Sequence, residues 1–534
     1  MSGSEKITAE VAIIGSGVAG AMIAWKLASL GVKNIVMLEA GPRVDRAQIV
    51  QAFKASPLID FSSGYPNSAH APRPDWNNKD RPYIDTVGPV PVKTEYIRAV
   101  GGTTWHWSGS VPRFLPSDFR LKSEYGVGVD WPFGYDALEP FYAEAETEMG
   151  VAGDDAENCG GPRSGKYPLP PVPRSYSDTY IAEKLQGMGV KFLTRPAARA
   201  TEPYRGRAQC QGFGTCSPIC PSGAQYAAIY HVETAEKLGV RVIDNCRADR
   251  IVADGTAKEI IARRPDGGEV RVGAKIFVAA ANGIETPRLL LMSAGESAPA
   301  GIANSSGQVG RNFMEHPTVI CTMLMKDPVW AGRGPETIIF SNTYRDGDFR
   351  RERPGWVLSA ENRVSFYDVT HELLQQGVAP PDLQGKIRDR LRRQVSLYAN
   401  VEQLPDAANG ITLDWSRRDA AGQPVIRHYY SFGDYEKKGF AHAKGVLSKA
   451  AKALGAEILS TRDPVPIHHP MGMARMGNDK KTSVTDGFGR CHDHGNLFLA
   501  GSALFPSASA ANPTLTIAAL ALRTAGEIAK QLKS

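Results

Sequence analysis

The stretch Glu10-Val11-Ala12-Ile13-Ile14-Gly15-Ser16-Gly17-Val18-Ala19-Gly20 decides the fold. Residues 10–14 read as a short apolar strand, a helical pattern runs on to Leu30, and a second strand over residues 34–38 closes at Glu39. Strand, glycine turn, helix and strand make a βαβ unit, the context in which Gly15-x-Gly17-x-x-Gly20 means a dinucleotide site. Gly15 permits the tight turn, Gly17 lets the backbone approach a pyrophosphate, and Gly20 allows close helix–strand packing. The phosphates then meet the positive end of the helix. Glu39 stands where it would accept hydrogen bonds from the adenosine ribose. This unit alone would serve NAD as well as FAD. Arg43, just past Glu39-Ala40-Gly41-Pro42, and a second glycine cluster, Gly101-Gly102-Thr103-Thr104, favour FAD, which extends further across a domain.

At 534 residues the chain exceeds what one hydrophobic core fills. With 42% hydrophobic and 22% charged residues it has a globular composition, and a net charge of +6 spread along its length leaves no basic block for nucleic acid. Residues 1–10 are short and polar, so no secretion signal of its own is expected, and no apolar run reaches the roughly 18–20 residues of a membrane span. Membrane attachment would need another chain. Residues 48–96 and 167–174, rich in proline and polar residues, read as an irregular excursion and a linker. Strands are expected at 240–244, 250–253, 259–263 and 275–280, followed by a helix from Pro287. Residues 317–456 alternate strands with charged helices at 383–394 and 435–454, and an alanine-rich helix spans 513–532 with Pro513 at its start. The expected class is α/β (α+β). A Rossmann-like FAD-binding domain is drawn from 1–115, 185–316 and 457–534, a mixed-sheet substrate-binding domain from 317–456, and linker or cap segments from 116–184.

Seven cysteines in so long a chain do not make a disulfide scaffold. Cys159, Cys246, Cys321 and Cys491 are scattered and read as core fillers. Cys210-x5-Cys216-x3-Cys220-Pro221 is different, because it packs three thiolates into a glycine-rich loop within residues 205–225. Soft thiolate donors and a proline after the last cysteine suit an iron–sulfur cluster, and three ligands without a fourth nearby favour [3Fe-4S]. Zinc, a disulfide plus a free thiol, and three inert thiols are the competing assignments, although the paired C-x2-C spacing of zinc is missing. A flavin moves electrons in pairs and a cluster singly, a combination suited to a dehydrogenase.

Near the C-terminus, Ile467-His468-His469-Pro470-Met471-Gly472 precedes Ala511-Asn512-Pro513-Thr514-Leu515-Thr516. Hydride removal from a carbinol requires loss of the hydroxyl proton, which a histidine accepts near neutral pH, and an asparagine can orient the same oxygen.

These motifs together resemble the glucose-methanol-choline (GMC) oxidoreductase family, and more narrowly the catalytic large subunits of bacterial flavoprotein–cytochrome c dehydrogenases of sugars, polyols and gluconate. The resemblance runs over Arg98-Ala99-Val100-Gly101-Gly102-Thr103-Thr104-Trp105-His106-Trp107, the cysteine loop, Ala281-Asn282-Gly283-Ile284-Glu285-Thr286-Pro287, Val309-Gly310-Arg311-Asn312 and Asn512 to Thr516, nearly the whole chain. It implies that His469 is the base, His468 its neighbour or orienting residue, and Asn512 the second member of the pair. It adds Arg98, Gly101, Gly102, Thr103, Asn282, Gly501, Asn512 and Thr514 to the flavin site. At the position of His106 some relatives attach the flavin to the ring, so the resemblance implies either that covalent link or a noncovalent contact. Relatives carry paired cysteines where this chain has Cys210-Gln211, and the residues around His469 resemble other branches of the family.

The function expected is oxidation of a hydroxyl of a sugar, polyol or sugar acid. The hydride goes to flavin N5, and the electrons leave through the cluster to a multihaem cytochrome c subunit and quinone. The resemblance also implies a small chaperone-like subunit and a periplasmic, membrane-associated complex, with a cytoplasmic location as the alternative. The competing functions are an oxygen-using oxidase with structural cysteines, distinguished by peroxide formation and no iron–sulfide absorbance, and a noncatalytic flavin/cluster redox sensor, indifferent to loss of His469.

Overall fold

The computed structural model describes residues 4–56, 64–74, 82–466 and 469–534. The strand Glu5–Ile14 pairs in parallel with Ile35–Leu38, Ile14 opposite Leu38, and on its other side with Glu269–Ala279. The helix Val18–Ser29 makes the crossover that the glycine turn demands. Arg241–Ile243 and Leu497–Leu499 join as parallel strands, and Thr256–Arg263 with Arg247–Asp254 add an antiparallel meander. The start, middle and end of the chain thus share one sheet.

Ala12, Ile13 and Met37 are fully buried in that sheet, the continuous apolar pattern expected of parallel strands covered on both faces. Helix Val18–Ser29 packs on the C-terminal helix Thr514–Gln531, and its Ala21 and Ala24 allow a close approach. Met22 and Leu27, also fully buried there, each contribute roughly 1.5–3 kcal/mol by leaving water.

A second sheet runs in the order Glu457–Val465, Thr318–Leu324, Gln394–Val401, Trp356–Glu361, Ile339–Ser341, Leu193–Thr194, with every ladder antiparallel. Its outermost strands come from segments assigned above to the cofactor domain. Strand period two divides its faces. Val395, Leu397, Ala399 and Val401 pack on the helix Asp434–Ala453 through Phe440, Ala443 and Leu447, while Ser396, Tyr398 and Asn400 belong to the opposite, polar face, Tyr398 paired with Ser359. A small third sheet joins Gly410–Arg418, Pro424–Tyr429 and Ile84–Thr86.

Two local expectations change. The excursion at 48–96 contains the helix Arg46–Ala55, started by the Asp45 side chain accepting from Gln48 N at 3.0 Å, and the strand Ile84–Thr86, which forms only because Pro424–Tyr429 pairs with it. The helix placed at Pro287 begins five residues earlier as Asn282–Met292, because Asn282 Oδ1 accepts from Ile284 N and Glu285 N and caps it. No helix among the described residues is long and apolar enough to cross a membrane.

Candidate active site

The glycine turn opens an elongated cleft. Gly15 has φ +96°, and a Cβ there would lie 2.6 Å from Ala280 O; a Cβ on Gly20 would lie 2.0 Å from Gly15 O. Gly17 is the exception, since a Cβ there would meet nothing within 4 Å: it faces the cleft. The helix behind it starts without a side-chain cap or an acidic residue in its first turn, so its N–H groups remain for an anion. Gly102, φ +58°, crosses Gly17 so closely that a Cβ would lie 2.9 Å from Gly17 Cα, and Gly101 N donates to Ser16 Oγ at 3.1 Å.

Glu39 lines the cleft, but part of its work is internal. One carboxylate oxygen accepts from Ser16 N and Ser16 Oγ at 3.0 and 2.6 Å, the other from Gly41 N at 3.0 Å, and burial pushes its pKa up. It ties the turn to the second strand as well as offering acceptor capacity to a ribose. Glu39→Gln is therefore expected to weaken FAD binding about 10-fold or more through loss of charge-assisted bonds, measured as the dissociation constant by flavin fluorescence; an unchanged constant would contradict the role.

Arg98 lines the same end, and its guanidinium is fixed by Glu285 and Tyr83, with Tyr96 OH also donating to Glu285 at 2.6 Å. Its Nη1 is buried without a partner among the described residues, an orphan donor at the cleft. Cys246, expected as a core filler, is fully buried yet also borders this end, beside Arg247 and Gln423. Arg43 is turned outward to Glu236 at 2.6 Å and does not line the cleft.

The other end is lined by Thr103, Trp107, His469, Gly501, Ser502 and Thr514, with Gly17, Thr103 and Asn282 continuous between the two ends. The side chain of Asn282 is spent on capping, so its place in the cleft is set by a positive-φ backbone, φ 83°. His106 is buried against Tyr65, ring centroids 6.0 Å apart, and is not among the lining residues. His468 lies outside the described residues.

His469 is held by a residue that its motif does not reveal. His316 is fully buried, its pKa pushed down to about 4 by burial, so it is neutral at working pH. Its Nε2 meets the carbonyl of Ser509, which only accepts; the single ring proton is therefore on Nε2, and Nδ1 is an acceptor. His469 Nδ1 lies 2.9 Å from that Nδ1 and must donate. In the neutral imidazole Nε2 then carries no proton. Asn512 supports the same assignment from the other side. Arg195 Nη1 reaches one atom of the carboxamide at 3.3 Å, and since a guanidinium only donates, that atom is Oδ1, which also accepts from Ser110 Oγ at 2.8 Å. The amide Nδ2 is then the atom facing His469 Nε2, at 3.5 Å. His469 lines the cleft, and the Asn512 amide stands beside it without being among the lining residues.

A family model described as FAD dependent oxidoreductase matches residues 10–446, and one described as GMC oxidoreductase matches residues 405–521. The chain is an FAD-dependent GMC oxidoreductase. The fructose dehydrogenase large subunit of Gluconobacter japonicus is 40% identical over 542 residues, covering 99% of each chain. A 2-methyl-1,2-propanediol dehydrogenase of Mycolicibacterium austroafricanum is 29% identical, covering 98% of this chain and 95% of its own. The fold matches solved formate oxidase from Aspergillus oryzae RIB40 with a TM-score of 0.67 at 15% identity, over 100% of this chain and 99% of that one. The cleft suits the family's cofactor, because an open Gly17, uncapped helix N–H groups and the orphan Arg98 Nη1 all await an anionic, extended ligand.

The three loop cysteines carry free thiols, Cys216 buried and Cys210 and Cys220 half-buried. Among the described residues no three His, Cys, Asp or Glu side chains converge on a single metal ion. What the three share is Arg199. This guanidinium is 1% exposed, donates from Nη2 to Cys216 Sγ at 3.1 Å, Ser108 O at 3.2 Å and Gln225 Oε1 at 3.0 Å, and makes no ion pair with a carboxylate among the described residues. Burial works against its charge and the electrostatics of Cys216, Cys210, Cys220 and Glu336 favour it, while burial pushes the Cys216 thiol itself up to about 11. Gln225 in turn bonds Trp107 O and Cys216 O, joining the flavin end of the cleft to the cysteine loop.

Proposed function

We propose that this GMC oxidoreductase is a dehydrogenase of a hydroxyl group on a sugar, polyol or sugar acid, with His469 as base and Asn512 holding the reacting oxygen. The unprotonated Nε2 of His469, fixed by His316 and set beside an amide donor, carries this reading. The O–H bond breaks heterolytically, the proton passes to His469 Nε2, and the electron pair stays on an oxygen that Asn512 Nδ2 faces. Bound in the cleft, FAD supplies the acceptor for the hydride leaving the same carbon. Fixing base and donor in advance removes much of the entropic barrier.

The buried Arg199, bonded to the Cys216 thiol and opposing the rise in its pKa that burial causes, supports a [3Fe-4S] cluster held by Cys210, Cys216 and Cys220 and supplying one-electron transfer. The relative's printed name, a large subunit, supports assembly with further subunits; a cytochrome c acceptor and a small subunit within a periplasmic complex belong to the same proposal.

A dye-linked screen of the purified protein over D-fructose, alditols, aldonates and 2-methyl-1,2-propanediol tests the reading. Substrate-dependent dye reduction, with iron and acid-labile sulfide present, is expected. Peroxide as the sole reduced product in an iron-free protein would favour the oxidase, and bound cofactors without turnover would favour the sensor.

Removing the tautomer lock has its own signature. His316→Phe, which fills the space without an acceptor, should slow flavin reduction about 10²-fold at retained FAD content, because His469 loses the bond that holds its ring in place as well as the tautomer preference, which alone is worth only a few-fold. Stopped-flow reduction rates within threefold of wild type would reject the lock.

A further inference from the structure

Arg195 stands at the edge strand Leu193–Thr194 of the second sheet, its N–H donating to Ile338 O at 2.7 Å. The side chain is 2% exposed, and its guanidinium lies 4.8 Å from the centre of the Phe340 ring. It donates to Ser110 Oγ at 3.0 Å, to Asn512 Oδ1 at 3.3 Å and to Ser359 Oγ, and its Nε has no partner among the described residues. No carboxylate lies within ion-pair distance among the described residues. The groups that act on its charge are Tyr398 and Cys159, and burial raises the pKa of both, keeping them neutral; burial of Arg195 itself lowers its own. A buried cation with no anion is costly, and proteins keep one where a negative charge arrives during function.

We propose that Arg195 is a positioning and charge-setting residue of the reaction centre. Through Ser110 and Asn512 Oδ1 it fixes the carboxamide so that Nδ2 faces the reacting oxygen, and its unneutralised charge stabilises the alkoxide formed when His469 takes the proton. This rests on the assignment of His469 as base. The same charge opposes protonation of His469 and so keeps Nε2 available. The surrounding titratable and charged groups are His316 and Glu315 on the segment leading into the second sheet, Arg345 and Asp118 bearing on His316, Glu95 on the cleft wall, and Glu361 acting on Tyr398.

The test compares Arg195→Gln, Arg195→Lys and His469→Gln holoenzymes. Anaerobic flavin reduction is followed across pH with D-fructose or the sugar returned by the screen, and the substrate-free flavin absorbance is titrated in parallel. Arg195→Gln should reduce the rate about 10²-fold and move the acid limb about one unit toward higher pH, in both the rates and the substrate-free titration. Arg195→Lys, which keeps the charge but not the fork, should lose rate about 10-fold with the limb in place. A limb unmoved in Arg195→Gln, or displaced in Arg195→Lys, would overturn the proposal, and the lysine variant decides alone if the glutamine one does not fold. His469→Gln separates the two readings. If it abolishes the limb while Arg195→Gln leaves it in place, only the role of Arg195 fails; if it keeps the wild-type rate, the base assignment fails first.

Discussion

His469→Gln will lower the rate of substrate-driven flavin reduction by about 10²–10⁴-fold while FAD stays bound in full. Both halves follow from the geometry. On the proposed reading Nε2 of His469 is the base; Asn512 Nδ2, its neighbour at 3.5 Å, is a donor and accepts no proton, and His316 is shielded behind His469 with its own proton committed to Ser509 O. Among the described residues no second base stands beside it. The cleft proposed for the cofactor is lined elsewhere as well, by Gly15, Gly17, Glu39 and Arg98, so FAD binding does not depend on His469 alone. Glutamine is the sharper probe than alanine because its amide can still donate to His316 Nδ1, which would otherwise be a buried acceptor left unmade at about 1–3 kcal/mol. Near-normal rates on a proven substrate would end the assignment of His469, whereas loss of FAD would mean that the side chain also supports the cleft.

What the sequence disclosed and what it withheld divide along sequence separation. The βαβ unit was legible because each requirement is local: a turn at Gly15, an open Gly17, contact at Gly20 and an acid closing the next strand lie within 25 residues of one another. His469 and Asn512 were legible as motifs for a similar reason, each sitting in a short distinctive stretch. His316, Arg195 and Ser110 were not. The bond that locks His469 joins residues 153 apart, and the one from Arg195 to Asn512 joins residues 317 apart, so no spacing or periodicity records them. Arg43 shows the converse error, since its place just after Glu39 suggested the cofactor while Glu236, 193 residues away, claims its guanidinium. A signal for the missed residues does exist in the structure: Arg195 and Arg199 are both buried guanidiniums without a carboxylate at ion-pair distance among the described residues, one bonded to Asn512 and one to the Cys216 thiol.

That pairing gives the second large effect. Cys216→Ser will strip iron and acid-labile sulfide from the protein and cut reduction of cytochrome c by at least about 10²-fold, while the first reduction of FAD by substrate stays near the wild-type rate. Serine is a hard, poorly ionised oxygen donor that does not replace a soft thiolate toward iron and sulfide. It is also a mild structural change, because its hydroxyl can still accept from Arg199 Nη2, which lies 3.1 Å from the sulfur it replaces. Loss of the metal is thereby separated from loss of the fold. The reacting pair lies at the other side of Trp107 and Gln225, so proton removal at His469 should not feel the substitution. Metal analysis and single-turnover flavin reduction on the same preparation decide the matter: a wild-type protein without iron, or a Cys216→Ser protein that keeps all of it, would return the loop to zinc, a disulfide or inert thiols, and would leave Arg199 as a buried cation whose counter-charge must be sought elsewhere.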